Sequence, residues 1–341
     1  MTRQFFLLLL ILLTLAMVQS CATTKKIIMR QDPLIGKIIN TKTDRTIDFN
    51  SLIKDISLHD VIYLSEKHDN PEHHNIQQRI INSLIESNIQ PTIGFEFFSM
   101  DDTPDLLNFI DSGKADHPEN IEKIIEADLR RKLRWESQSD KMWKYYFDLL
   151  TIAKDENLQV AGIDLPTTLK KRVTRKGIDN ISPIEKDMIF STHLSDKTYK
   201  DYMFSIFKAV HCGMGNENMQ SRLYDTWIAR NDKMALSITQ LVKYGNGPVI
   251  IIIGGGHTEY GLGVINRVQE IDKKITQVNI ALQEISVKPS NLSEYIQPLE
   301  LKDFKKRPPA DFLWFTQRVS YKDPCKEFKK SLQKMKKMQK K

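Results

Sequence analysis

The sequence predicts an α/β fold in which a mostly parallel central sheet is flanked by helices, with a helical insertion or lid. Three observations predict it. Short, continuous runs of β-prone apolar residues at Val61–Leu64, Thr92–Phe95, Gln159–Asp164 and Pro248–Ile253 read as strands buried on both faces. Long stretches of helical period separate these runs. Each run delivers a chemically capable residue at its carboxyl end, the edge where open α/β sheets bind ligands: Glu66, Glu96, Asp164 and His257.

Met1–Ser20 carries Arg3, an apolar run from Phe5 to Val18 and then small polar residues, the layout of a secretory signal and too short for a membrane span. Val18-Gln19-Ser20-Cys21 resembles a bacterial lipobox, which makes Cys21 the lipidated first residue and residues 21–33 a polar tether. The other reading is a plain signal peptide with an incidental cysteine. One domain is expected over 34–320, followed by a basic tail at 321–341. Besides Cys21 only Cys212 and Cys325 occur, so a disulfide framework is not expected to hold the fold. Net charge is +7, but residues 326–341 hold eight Lys and one Glu, so the body is formally neutral and the basic balance is no argument for nucleic acid. Phe328, Leu332, Met335 and Met338 interleave with those lysines, which suits either a short helix on an anionic bilayer or a solvated end.

The first strand runs into the densest cluster of chemistry in the chain. Asn70 is a good N-cap, Pro71 fits the first helical position and Glu72 favours the positive end of the helix dipole, so a helix is expected to start at Pro71. Ile76, Ile80, Ile81, Leu84 and Ile85 form its apolar stripe, with His73 inside the stripe and His74 at its edge. Glu66, His68, Asp69, His73 and His74 therefore gather at one strand end.

Thr92–Phe95 delivers Glu96 between aromatics, where a carboxylate needs either a partner such as an Arg or a job. Asp105–Lys154 has helical period broken at Gly113 and Pro118, with Trp135, Trp143 and Tyr146 read as core. Leu169–Asp179 is a basic helix and turn. His193–Gly215 reads as irregular and rich in Tyr, Phe and Met, either a lid, the wall of an apolar ligand site, or a partner helix. Asn218–Lys243 is a clear helix whose buried stripe also holds Gln220 and Asn231, polar groups that must find partners. Gly254-Gly255-Gly256 lets the backbone turn sharply and sets His257 at a strand end, without the spacing of a phosphate or dinucleotide loop.

Leu64-Ser65-Glu66-Lys67-His68-Asp69-Asn70-Pro71-Glu72-His73-His74, Gly94-Phe95-Glu96-Phe97-Phe98, Asp232-Lys233-Met234-Ala235, Gly255-Gly256-His257 through Gly263-Val264, and Asp311-Phe312-Leu313-Trp314-Phe315-Thr316 together resemble the ChaN-type haem-binding lipoproteins over roughly residues 34–318. The resemblance implies an α/β fold shared with erythromycin-esterase-like and Tiki-type proteins. It also implies a lipid anchor at the cell envelope, and haem held by a Tyr ligand with a His nearby, often between two subunits. Ser65 departs from the family's usual Gly, and Asp164 stands where Asn is common. Tyr199 and Tyr202 are the candidate iron ligands, with Tyr224 behind them, and His68, His73, His211 and His257 are the further haem-site candidates. Implied partners are haem, membrane lipid through Cys21, a second copy of the chain and an envelope haem receptor. A hydrolase reading stays open beside it, with Glu66, His68, Glu96 and His257 as acid and base. A metal-dependent variant of that reading uses His68, His73 or His257 as ligands.

Overall fold

Residues 31–112, 118–194, 197–288, 290–302 and 304–338 are described in a computed structural model of the chain. The expected leader and Cys21 lie outside these residues. Asp32–Lys341 forms one unit.

The elements run β1 (Ile38–Asn40), β2 (Arg45–Ile47), α1 (Phe49–Ile56), β3 (Val61–Glu66), α2 (Pro71–Glu86), β4 (Thr92–Ser99), α3 (Thr103–Asp111), α4 (Glu119–Lys132), α5 (Asp140–Asp155), β5 (Val160–Asp164), α6 (Thr167–Lys176), α7 (Pro183–Asp187), α8 (Lys197–Val210), α9 (Glu217–Tyr244), β6 (Val249–Gly254), α10 (Val264–Ile271), β7 (Gln277–Glu284), α11 (Leu292–Tyr295), β8 (Phe312–Thr316) and α12 (Pro324–Met338). The strands form a single sheet in the order β2-β1-β8-β7-β3-β6-β4-β5. From β8 to β5 every pairing is parallel, and at one edge the β8–β1 and β1–β2 pairings are antiparallel. The fold is the expected mostly parallel α/β sheet with helices around it.

Parallel pairing places the carboxyl ends of β3, β4, β5 and β6 on one edge. The chain leaves β3 for β4, beyond β6 on one side, and leaves β6 for β7, beyond β3 on the other. The connections thus diverge between β3 and β6, and the crevice opens where they part. Side-chain alternation then sorts the residues by face. Ile62 and Leu64 enter the large core under α2 and α5, whereas Val61 and Tyr63 enter the core under α9 and α10. Glu66 shares the face of Leu64, and Ser65 the face of Tyr63.

Helix α2 begins as its sequence dictates, with the Asn70 side chain accepting from the Glu72 N–H and Pro71 in the first turn. Two expectations change. His193–Gly215 is not irregular: Lys197–Val210 is a helix, because Tyr199, Met203 and Phe207 recur every four residues and bury one side. Cys212 and Cys325, from which no disulfide framework was expected, are joined by a disulfide that spans 113 residues of sequence.

Candidate functional site

Two polar constellations meet at the crevice. The first is built on Glu66, the last residue of β3. Its Oε1 accepts from the Tyr146 hydroxyl of α5 at 2.5 Å and lies 2.9 Å from His68 Nδ1, while its Oε2 accepts from Gln77 Nε2 of α2 at 2.6 Å. Burial works to raise the Glu66 pKa, but the His68 hydrogen bond and the neighbouring His74 hold it below the ordinary value. Tyr146 stays a phenol donor, because burial and the Glu66 carboxylate push it well above its usual range. His68 is the accessible member, with 40% of its side chain exposed. Burial lowers its affinity for a proton, yet the bond to Glu66 and the charge of Glu96 leave its pKa raised.

The second constellation is a buried chain of charges. Arg230 of α9 donates through Nε to both oxygens of Asp164 at 3.0 Å and through Nη2 to Glu96 Oε1 at 2.6 Å. Glu96 Oε2 accepts from the Gly254 N–H at 2.6 Å, and its Oε1 lies 3.2 Å from His257 Nε2. His257 Nδ1 is 2.5 Å from Asn231 Oδ1, and the ring lies flat on Trp227. Asn231 Nδ2 is buried without a hydrogen-bond partner among the described residues. Although burial opposes it, His257 and Arg230 hold Glu96 well below the carboxylate range, while burial lowers the His257 pKa.

Gly254 joins the two. A Cβ there would stand 2.7 Å from His68 Cε1 and 3.3 Å from Glu96 Oε2, so only glycine lets the imidazole lie across the end of β6. Gly263 serves the same turn, since its φ is +66° and a Cβ would meet the His257 carbonyl oxygen at 2.3 Å.

Glu66, His68, Glu96 and His257 are thus brought to one place. His73 is not, being fully buried on the far side of the β3–α2 turn. Its Nδ1 accepts from the Lys67 N–H at 2.9 Å, its Nε2 lies 2.9 Å from Thr316 Oγ1, and burial lowers its pKa to about 3. His211 bonds to the Phe207 carbonyl in the turn after α8. Among the described residues, no group of three or more His, Cys, Asp and Glu is placed to hold a metal ion.

Tyr199 and Tyr202 are not part of either constellation, and Trp227, which bonds to Tyr199 and stacks on His257, stands between them and the buried charges. The two tyrosines line an apolar groove of about 230 Å³ with Met203, Phe207, Trp227 and Leu262. Tyr199 is buried and its hydroxyl accepts from Trp227 Nε1 at 3.0 Å, whereas Tyr202 is only half-buried on the wall. Burial raises both phenols, and Glu259 adds to the effect at Tyr202. A second, polar cleft of about 340 Å³ shares Gly256 and Glu259 with the groove, and its other charged lining residues are Glu66, Lys67, Glu284 and Arg318.

Tyr146, Gln77, Trp227 and Arg230 were not picked out from the sequence. Tyr146 looked like core because it recurs with other aromatics, and Arg230 lies in mid-helix. The buried position of Asn231 was the one usable signal for that stretch.

A family model described as "Haem-binding uptake, Tiki superfamily, ChaN" matches residues 52–268. No curated protein matches by sequence. The solved structure of ChaN from Campylobacter jejuni, described as cofacial haem binding, superposes with a TM-score of 0.60 at 19% identity, covering 81% of this chain and 95% of its own. At that identity the likeness shows the fold. An erythromycin esterase, EreC, in its open conformation gives a TM-score of 0.40 at 14% identity, over 74% of this chain and 77% of its own.

Proposed function

This chain belongs to the haem-binding uptake family of the Tiki superfamily, ChaN, and from that premise we propose that it binds ferric haem in the groove under α8, with Tyr202 as the iron ligand. The observation that carries the reading is the placement of Tyr202, a phenol on the wall of an apolar groove that adjoins a polar cleft holding Lys67 and Arg318 among the carboxylates of Glu66, Glu259 and Glu284.

The residues fit the group. Haem is a flat apolar plate with two carboxylates and one iron. The groove supplies Met203, Phe207, Trp227 and Leu262 for the plate, and its small volume means it covers part of the ring and leaves the rest at the surface. Lys67 and Arg318 in the adjoining cleft suit the carboxylates, each sharing its charge with the buried Glu284. Tyr199 is engaged by Trp227, which leaves Tyr202 the better placed of the two phenols. Bound haem supplies the Lewis acidity that holds a phenolate at neutral pH, offsetting the burial that raises this phenol. The fuller role we propose is haem or iron capture, storage or transfer at the cell envelope, with a lipid anchor at Cys21 and a second copy of the chain covering the exposed part of the ring.

The test is a titration of the purified protein with ferric haem. The native protein and Tyr199→Phe are expected to show a phenolate-to-iron charge-transfer band, and Tyr202→Phe to lack it. An unchanged spectrum in Tyr202→Phe removes that residue as the ligand.

One observation favours a hydrolase as the second reading: the Glu66–His68 pair, with a buried carboxylate orienting an accessible imidazole, is the arrangement of a general base. Ester hydrolysis by haem-free protein that disappears in Glu66→Gln and persists in Tyr202→Phe would establish it.

A further inference from the structure

We propose that α12 (Pro324–Met338) is a docking surface for an anionic lipid bilayer, lying along it with one side in the headgroup layer. The sequence supplies both halves of such a surface. Residues 326–341 contain eight Lys and one Glu, while the rest of the chain is formally neutral, so the positive charge of the molecule is concentrated here. Phe328, Leu332 and Met335 follow the i, i+4, i+7 spacing that places them along one side of a helix, and Lys326, Lys329, Lys330 and Lys337 fall on the other. Pro324–Met338 is helical, so this spacing becomes a real division of faces over about 22 Å of length.

Phe328, the first residue of the apolar stripe, is 40% exposed and belongs to none of the hydrophobic clusters of the core. Glu327 is paired with Lys330 one turn along, so the lone acidic residue does not interrupt the cationic side. What ties the helix down is the disulfide at Cys325, in its first turn, to Cys212 just beyond α8. No helix among the described residues is long and apolar enough to cross a membrane, so the surface docks on the bilayer and does not span it.

The chemistry selects lipid over the other polyanions. A nucleic acid is held by cations tracking its phosphates and has no use for an unbroken Phe, Leu and Met stripe opposite them. An interfacial helix requires that stripe, because apolar burial and attraction to anionic headgroups add together.

The experiment uses the full chain carrying Cys21→Ala, so that no acyl chain is attached and residues 1–31 contribute equally to every variant. Flotation is measured with vesicles of phosphatidylcholine alone and of phosphatidylcholine mixed with phosphatidylglycerol. The expected result is binding to the mixed vesicles that exceeds binding to the neutral ones and falls at high salt. Replacing Lys329, Lys330, Lys334, Lys336 and Lys337 together by Gln should weaken it about a thousandfold or more, at roughly fivefold per lysine. Phe328→Ser with Leu332→Ser should weaken it as well, and a native urea midpoint in both variants verifies that the loss is one of binding and not of folding. Equal binding to neutral vesicles, no binding to either, or binding unchanged by the lysine replacements overturns the proposal. So does a serine variant that binds normally while RNA competes the vesicles away, which would make this a nucleic-acid surface.

Discussion

Trp227 lies flat on His257, with ring centroids 3.9 Å apart and planes 13° from parallel. The same indole forms part of the wall of the apolar groove and donates its Nε1–H to Tyr199. One side chain therefore separates the groove from the buried charges and touches both. Whatever presses on the groove side of Trp227 presses on the imidazole that faces Glu96.

Trp227→Leu is the direct probe of the groove. Losing the aromatic wall should raise the Kd for ferric haem about tenfold, the scale of an aromatic contact beyond its buried area. The absorption titration reads it, and an unchanged Kd would move the haem elsewhere.

Glu96→Gln should destabilise the fold by about 3 kcal/mol, because it leaves the partly buried Arg230 with one carboxylate in place of two and deprives the buried His257 of its carboxylate partner. Lys123→Gln, which breaks an exposed pair with Glu119, should cost under about 0.5 kcal/mol. Urea unfolding of the two variants gives the comparison, and equal midpoints would show that the buried charges contribute nothing.

Acid should unfold this protein in two overlapping stages. His73 is held near 3 and His257 is lowered, against an ordinary value of 6.5, so between these values the unfolded chain binds more protons than the folded one. Stability therefore falls as pH drops from about 6.5 toward 3. Glu66 and Glu96 are depressed below 4.5, so their contribution is present above that value and is lost as pH falls through their lowered ones. His68 runs the other way, since its raised pKa gives stability that is full below 6.5 and lost as pH rises through the raised value. Urea midpoints across this range should show the decline, and His73→Asn should flatten it whatever its absolute stability. An equally steep decline in that variant would mean His73 is not the group responsible.

Gly254→Ala should push His68 off the end of β6, because the new methyl would fall inside the imidazole's contact distance. The expected cost is about 1–2 kcal/mol, the lower range of overpacking a tight site. The His68 pKa should return toward an ordinary imidazole as the bond to Glu66 lengthens, which a proton titration by NMR would follow. A raised pKa that survives the substitution would show that the ring and the strand end are not in competition.

The parts of this molecule legible in the sequence share one property: they are local. Val61–Glu66 reads as a buried strand ending in an acid because its neighbours in sequence are enough to say so, and the same holds for the Asn70-Pro71 helix start. Strand β7 was not read, because Gln277, Asn279 and Gln283 break its apolar run. Asn279 is nevertheless buried, as its amide oxygen accepts from Ser65 Oγ, a residue distant in the chain. Arg230 illustrates the limit for the site. Nothing within its own helix distinguishes it from a surface cation, and only the sheet brings Asp164 and Glu96 to either side of it. Tyr199 and Tyr202 were indistinguishable in sequence for the same reason, since the contact that separates them comes from Trp227 on another helix.

The bond between Cys212 and Cys325 makes the second part of the chain a covalent ring. Within that ring run α9, β6, α10, β7 and β8, and so Arg230, Asn231 and His257. A protease that cuts one exposed loop between these cysteines opens the ring without releasing either end, so the nicked protein should run as one piece on a gel until a thiol is added. A single cut inside the ring therefore leaves the lysine-rich helix attached to the rest of the chain, and there reduction must follow cleavage to set it free.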